Sequence, residues 1–328
     1  MKIVIDAFGG DNAPLEIIKG VVLAKEYGEQ LILSGSEKQI KCCAADNGID
    51  ISGIEIFDAQ SVMDMHDEAK SVLKAKSDSS MAVGMHAVAD GKADAFVTAG
   101  PTGAALMGAT MIVKRIKGVK RPSLCAVIPS AKNPFLLIDC GANTECRPEM
   151  LDQFGVMGSM YMSRVMNCEN PRVGLANNGA EDSKGTELQV EAYKLMRDNK
   201  DMNFVGNAEG RDIPLGDFDV IVADGFTGNI ILKLTEGLAG AMFQMLKGVF
   251  YKNTISKLAA MALKPGLREF KNAMDYSKYG GAPIIGLQKP VVKAHGSSNA
   301  EAVKNAVRQA ITWSKSGVTE ALAEKLGK

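Results

Sequence analysis

Four short loops concentrate the side chains able to do chemistry. They are residues 6–12 (Asp6-Ala7-Phe8-Gly9-Gly10-Asp11-Asn12), 98–103 (Thr98-Ala99-Gly100-Pro101-Thr102-Gly103), 139–143 (Asp139-Cys140-Gly141-Ala142-Asn143) and 224–229 (Asp224-Gly225-Phe226-Thr227-Gly228-Asn229). Each combines small residues with a carboxylate, amide or hydroxyl just before a helix start or loop. Glycine lets backbone come close to a ligand, and exposed amides at helix N-termini favour anions. Such a cradle suits a phosphate group or the oxyanion of a thioester. One such loop alone reads as an ordinary strand-to-helix turn. Four together point to a shared site drawn from Asp6, Gly9, Gly10, Asp11, Asn12, Thr98, Gly100, Thr102, Gly103, Asn143, Asp224 and Gly228.

Two further residues have fitting chemistry. Lys184 stands beside Gly185 at the expected start of a helix, where a cation holds a phosphate oxygen or a developing oxyanion. The alternative is a solvated surface lysine. His295 follows an apolar strand and precedes Ser298 and Glu301, a capping-box spacing. There it is placed to protonate a leaving thiolate, or else to pack or cap. Of the other histidines, His66 lies among acids in an expected exposed loop. His86 lies in an apolar helical run that suggests a structural role. There is no GxSxG, HExxH, EF-hand or Walker A pattern, and no GxGxxG after the first strand. No covalent nucleophile, metal or nucleotide cofactor is therefore expected. This fits direct attack by phosphate, with the protein positioning the reactants.

These loops need rigid elements behind them. Each follows a continuous apolar run, such as Ile3-Val4-Ile5, Ala95-Phe96-Val97, Phe135–Ile138 or Val220-Val222. Unbroken rather than alternating runs indicate a buried, mostly parallel sheet with helices on both faces. In such sheets ligands bind outside the carboxyl ends of the strands. The 328 residues show no clear linker, so one α/β catalytic unit is expected over 1–328. Lys+Arg and Asp+Glu number 38 each, which argues against a nucleic-acid binder held by bulk charge. The role of the local basic run Lys114, Arg115, Lys117 and Lys120 is left open. The six cysteines have no CxxC or zinc spacing and read as reduced thiols in a cytoplasmic protein. The apolar start is too short for a signal peptide, and no run of 18 apolar residues suggests a membrane span. Residues 251–280 read as a helical excursion. Ile255, Leu258 and Leu263 share one face, with Lys252, Lys257, Lys264 and Arg268 nearby. That pattern suits a basic helix lying on a membrane surface, with packing on the core or a second subunit as the alternative.

The segment 6–14 resembles the opening signature of the bacterial acyl-acyl carrier protein:phosphate acyltransferases. Further matches run in order through Ser77–Met81, Asn178–Gly185, Asn207–Asp212, Asp224–Asn229 and Lys293–Ser298, so the resemblance covers nearly the whole chain. It implies transfer of a fatty acyl group from acyl carrier protein to inorganic phosphate, for phospholipid synthesis. It also implies a fold akin to the phosphate acetyltransferases and isopropylmalate dehydrogenases. A cytosolic homodimer touching the membrane peripherally follows too. Lys184 and Asn229 are then the leading catalytic positions, binding phosphate and polarising the thioester carbonyl. Phe8 stands where methionine is expected. Pro101 stands where asparagine is expected, removing a polar contact and an N–H. Three other functions remain open: a short-chain phosphotransacylase using coenzyme A, a decarboxylating dehydrogenase of the same fold group, and a non-catalytic membrane scaffold.

Overall fold

The computed structural model describes the backbone of residues 1–273 and 276–327, and their side chains apart from those of 255, 258, 262, 269, 271–273, 276 and 277. Among the described residues the apolar runs form eleven strands. These are β1 (Lys2–Asp6), β2 (Gln30–Ser34), β3 (Glu55–Phe57), β4 (Ala95–Thr98), β5 (Ser123–Ile128), β6 (Phe135–Ile138), β7 (Arg172–Asn177), β8 (Asn203–Glu209), β9 (Val220–Val222), β10 (Ala282–Ile285) and β11 (Val291–Lys293). Between them lie α1 (Leu15–Ala24), α2 (Glu37–Asp46), α3 (Ser80–Ala89), α4 (Thr102–Gly108), α5 (Pro148–Val165), α6 (Glu187–Asp198), α7 (Gly225–Phe250), α8 (Thr254–Ala273), α9 (Ala300–Ser316) and α10 (Val318–Leu326).

All eleven strands join one sheet, in the order β3-β2-β1-β4-β11-β10-β5-β6-β9-β7-β8. The sheet is mostly parallel, as expected, but it changes direction at its centre. β10 runs antiparallel to both β11 and β5, and β5 runs antiparallel to β6. The strands β1 to β4 with β11 therefore point one way, and β6, β9, β7 and β8 point the other.

Alternation along a strand sends neighbouring side chains to opposite faces, and here both faces are buried. In β1, Ile3 and Ile5 pack in a large core with Ile17, Ile18 and Val21 of α1 and Val303, Ala306 and Val307 of α9. Val4 between them packs on the other face with Met81 and Met85 of α3 and Ala104 of α4. β6 repeats this, with Leu136 and Ile138 against Phe154 of α5, and Phe135 and Leu137 facing Ala223 beyond β9. Burial on both faces is why these strands read as unbroken apolar runs.

α7 and α8 depart from this scheme. Among the described side chains of α7, only Gly225 and Gly228 are fully buried. The helix pairs with α8, where the Phe243 and Phe270 rings lie 5.7 Å apart. The expected excursion over 251–280 takes in α8, and the exposed surface continues back along α7. Phe226, Ile230, Leu234, Leu238, Met242, Met245 and Val249 are all exposed along it, at steps of three and four that share one helix face. Leu263 on α8 is exposed too; the side chains of Ile255 and Leu258 lie outside the described residues.

Candidate active site

The first half of the site is built at the carboxyl ends of β1, β4 and β11. Asp6 ends β1 and is 2% exposed. Its carboxylate accepts from Thr98 Oγ1 at 2.7 Å and from Phe8 N at 3.2 Å. Thr98 Oγ1 in turn accepts from Gly100 N at 2.9 Å. Burial raises the Asp6 pKa, and these hydrogen bonds oppose the rise. Gly9 sits where no side chain fits: a Cβ there would meet Gly100 N at 2.6 Å and Asp6 Oδ2 at 2.7 Å. The rest of the loop is tied to residues 295–298. Asp11 N donates to Gly296 O at 2.8 Å, and Asn12 Nδ2 donates to Ser297 O and Ser298 O.

The second half is built beyond β6 and β9. Asp139 is buried and accepts from Leu124 N at 3.0 Å, Ala142 N at 3.3 Å, and Asn143 through both N at 2.6 Å and Nδ2 at 2.9 Å. Loop 139–143 is thereby folded onto the first turn of α7. Gly225 N donates to Asn143 O at 2.7 Å, and Asn229 Nδ2 donates to Cys140 O at 3.0 Å. A Cβ on Gly228 would stand 1.8 Å from Asp139 O, so only glycine permits this approach.

Two helix N-termini here are already closed by the protein's own carboxylates. Asp224 caps α7, accepting from Thr227 N at 2.9 Å and Thr227 Oγ1 at 2.7 Å. At α9 the cap is Asn299, accepting from Ala302 N, and Glu16 accepts from Ala300 N at 2.9 Å. Ser298, expected as this cap, lies one residue earlier because the 295–298 turn is held by Asn12.

A cavity of about 390 Å³ lies between the halves, within the size range of small-ligand sites. Of the residues singled out from sequence, Thr102, Asn229 and His295 line it. Asp6, Gly9, Thr98 and Gly100 form the packed support behind that wall, while Gly10, Asp11 and Asn12 hold the 295–298 turn. Gly103 follows Thr102 in the exposed first turn of α4, and Asn143, Asp224 and Gly228 shape the opposite wall. His295 Nδ1 lies 2.8 Å from Ser297 Oγ and 3.2 Å from Ser297 N, which holds the ring and leaves Nε2 without a protein partner among the described residues. His86 is exposed on α3 and takes no part in the core. Lys184 lies outside the lining, on an exposed loop at the carboxyl end of β7. Its carbonyl accepts from Asn177 Nδ2 at 3.0 Å, and α6 begins after Thr186.

The cavity also contains a residue of the Lys293–Ser298 match for which no role was expected. Lys293 ends β11, is 8% exposed, and lines the cavity. Its Nζ donates to the carbonyls of Ala99 and Ala294. Burial pushes its pKa down to about 8, against the pull of Asp6 and Asp11 and with the push of Lys233. Lys233 and Glu236 line the cavity as an ion pair at 2.8 Å. Cys140 lines it too, but burial raises its thiol pKa well above normal, so it is not a ready thiolate. Among the described residues, no three His, Cys, Asp or Glu side chains gather as a metal site.

A family model described as fatty acid synthesis protein matches residues 1–321. A relative named phosphate acyltransferase in Alkaliphilus oremlandii is 47% identical over 325 residues, covering 99% of this chain and 97% of that one. A second of that name, in Clostridioides difficile, is 43% identical and covers 100% and 97%. Among solved structures, a phosphotransacetylase from Streptococcus pyogenes superposes with a TM-score of 0.68 at 18% identity, covering 96% of this chain and 94% of that one. A branched-chain phosphotransacylase from Enterococcus faecalis V583 gives 0.59 at 16%, covering 96% and 99%. These two likenesses establish the shared fold. The match over nearly the whole length establishes that the chain belongs to the fatty acid synthesis protein family.

Proposed function

We propose that the protein transfers a fatty acyl group from an acyl-acyl carrier protein to inorganic phosphate, giving acyl phosphate for membrane phospholipid synthesis. Full-length similarity to proteins named phosphate acyltransferase carries this reading. The site supports it with a cation, an amide and an imidazole around one cavity. A phosphate oxygen attacks the thioester carbonyl carbon. The tetrahedral intermediate collapses, the C–S bond breaks, and the thiolate takes a proton. Asn229, pinned through Cys140 O, polarises the carbonyl. Lys293 stabilises the charge that develops on phosphate and carbonyl oxygens. Lys184, outside the cavity lining, receives the phosphate on the strength of the family motif Asn178–Gly185. His295, as the imidazolium with Nδ1–H held by Ser297 Oγ, supplies the thiolate's proton from Nε2 and is left as the neutral ring. No cofactor enters this scheme, because phosphate is itself the nucleophile.

Trapping with hydroxylamine tests the reading directly. Wild-type protein with palmitoyl-acyl carrier protein and phosphate should give acyl phosphate. Lys184→Ala and Asn229→Ala should each lose at least about 100-fold, the scale of removing one preorganised donor. No trapped product at high enzyme concentration would sink the proposal. Acetyl-coenzyme A as substrate separates it from short-chain transfer.

The same reading makes the protein a cytosolic homodimer that touches the membrane. The exposed apolar face of α7 supports a second copy, since contiguous patches of this kind mark interaction sites. The Lys257, Lys264 and Arg268 side of α8, with Leu263 and the Ile255 and Leu258 positions, supports an anionic bilayer surface. No described helix is long and apolar enough to cross a membrane.

A further inference from the structure

The far end of α4 leads to a concentration of positive charge. Thr102 opens this helix at the cavity, and a π-helical turn, Ala109–Lys114, continues it outward. From Thr102 to Lys114 a helix rises about 18 Å. There Lys114, Arg115, Lys117, Lys120, Arg121 and Arg147 surround an open depression of about 910 Å³, with no carboxylate in its lining. All six cations are exposed, and among the described residues none forms an ion pair. In a chain of zero formal net charge this is a local imbalance. Like charges held together without counter-charges raise the surface potential and attract an oppositely charged partner.

Two further features describe that partner. Met111 is 56% exposed within the lining, an adaptable apolar contact amid the cations. The depression is also tied to the loop that carries Cys140 and Gly141 of the cavity lining, because Asn143 Nδ2 donates to Pro122 O at 2.9 Å just beyond Arg121. A concave seat ringed by charge fits a folded acidic surface better than a flat bilayer. The apolar face suited to other contacts lies elsewhere, on α7.

We propose that this depression is the docking surface for the acidic carrier that delivers the acyl thioester, a small protein presenting carboxylates around an apolar side chain. The proposal rests on the acyltransferase reading above and adds to it where the carrier sits. From this seat the thioester reaches the cavity only on a long, flexible arm, which a carrier-bound acyl group has and a free fatty acid lacks. Arg115 is less suited to testing because its guanidinium also donates to the carbonyls of Val119 and Lys120 and so holds the turn.

The test is the affinity of acyl carrier protein for wild type and for the triple variant Lys117→Glu/Lys120→Glu/Arg121→Glu, measured by fluorescence anisotropy of a labelled carrier. Formation of acyl phosphate from the carrier-free thioester palmitoyl-coenzyme A is followed in parallel. The expected result is carrier binding weakened at least about tenfold, with turnover of the carrier-free thioester within twofold of wild type. Carrier variants with acidic residues changed to lysine should bind the triple variant better than the wild type, a rescue that misfolding cannot produce. Unchanged carrier affinity overturns the surface, as does wild type that fails to bind the carrier. Anionic vesicle binding lost in the triple variant, with carrier affinity intact, overturns it in favour of a membrane. Charge-dependent carrier binding without any acyl phosphate would leave the surface standing and remove the acyltransferase reading.

Discussion

Replacing Lys293 by methionine should make the protein more stable and less active at once. The ammonium is nearly fully buried, and burial holds its pKa at about 8 against an ordinary 10.5. That drop corresponds to roughly 3 kcal/mol of penalty on the charged form in the folded state. Methionine of similar length removes the penalty. It also leaves the carbonyls of Ala99 and Ala294 without this donor, at up to about 1 kcal/mol each. The net gain is about 1–3 kcal/mol. Unfolding entropy of roughly 2.1 cal/mol/K per residue over 328 residues turns this into a rise in Tm of about 2–4 °C at pH 7. The sign with pH follows from proton counts. Between about pH 8 and 10.5 the unfolded chain binds the proton more tightly than the folded one, so wild-type stability rises with pH across that window. The methionine variant lacks this rise, and its advantage should shrink towards pH 10. Thermal melts of both proteins at pH 7, 8.5 and 9.5 check this, with acyl phosphate formation expected to fall about 100-fold or more. A variant that melts below wild type at pH 7, with a gap constant to pH 9.5, would refute a buried, functional cation.

Other substitutions probe the supports. Thr98→Val keeps the shape but leaves the Asp6 carboxylate and Gly100 N without their hydroxyl partner; a loss of about 2–4 kcal/mol is expected, and calorimetry showing no change would contradict the assigned network. Gly228→Ala drives a Cβ into Asp139 O, so it should cost more than about 3 kcal/mol and displace Asn229; near-normal turnover would show that the close approach can relax. Charge reversal at Lys257 and Lys264 should weaken sedimentation with anionic vesicles at least about 30-fold, at about 1 kcal/mol per cation, and spare turnover of soluble substrate; unchanged sedimentation would defeat the membrane contact. Leu238→Glu with Met245→Glu should convert a dimer to a monomer by light scattering, and a dimer of unaltered mass would place the subunit contact elsewhere.

The strand-end loops were legible because both of their ingredients leave a sequence trace. Buried strands need unbroken apolar runs, and tight turns beside them need glycine with polar neighbours. The reversal of the sheet left no such trace. Ala282–Ile285 and Ser123–Ile128 are apolar strands like the others, and composition does not encode which way a strand runs. Lys293 was hidden for a different reason. A lysine in a sequence reads as solvated, and the hints were its place at the head of the Lys293–Ser298 match and directly after the apolar Val291 and Val292. Asp224 illustrates the converse. Its place before a helix was visible, but not that its carboxylate would itself occupy the helix N-terminus. The charge after residue 250 is legible in the sequence, whereas the exposed apolar face along α7 is composed like a buried one.

Closure of the α7 and α9 N-termini by Asp224 and Glu16 leaves little free backbone dipole at those ends to attract a second anion. Phosphate must then be held mainly by cations, and these differ sharply in exposure. Mobile ions screen charges in water within about 8 Å at physiological ionic strength, but screen buried ones far less. On the proposed reading phosphate meets the exposed Lys184 and the buried Lys293, while the carrier's cations around the depression near Lys117 are all open to solvent. Ionic strength therefore weighs unequally on the two substrates: added salt should lift the KM for the carrier more steeply than that for phosphate. An enzyme of this construction would feel the salt of its surroundings most through its protein substrate and less through its inorganic one.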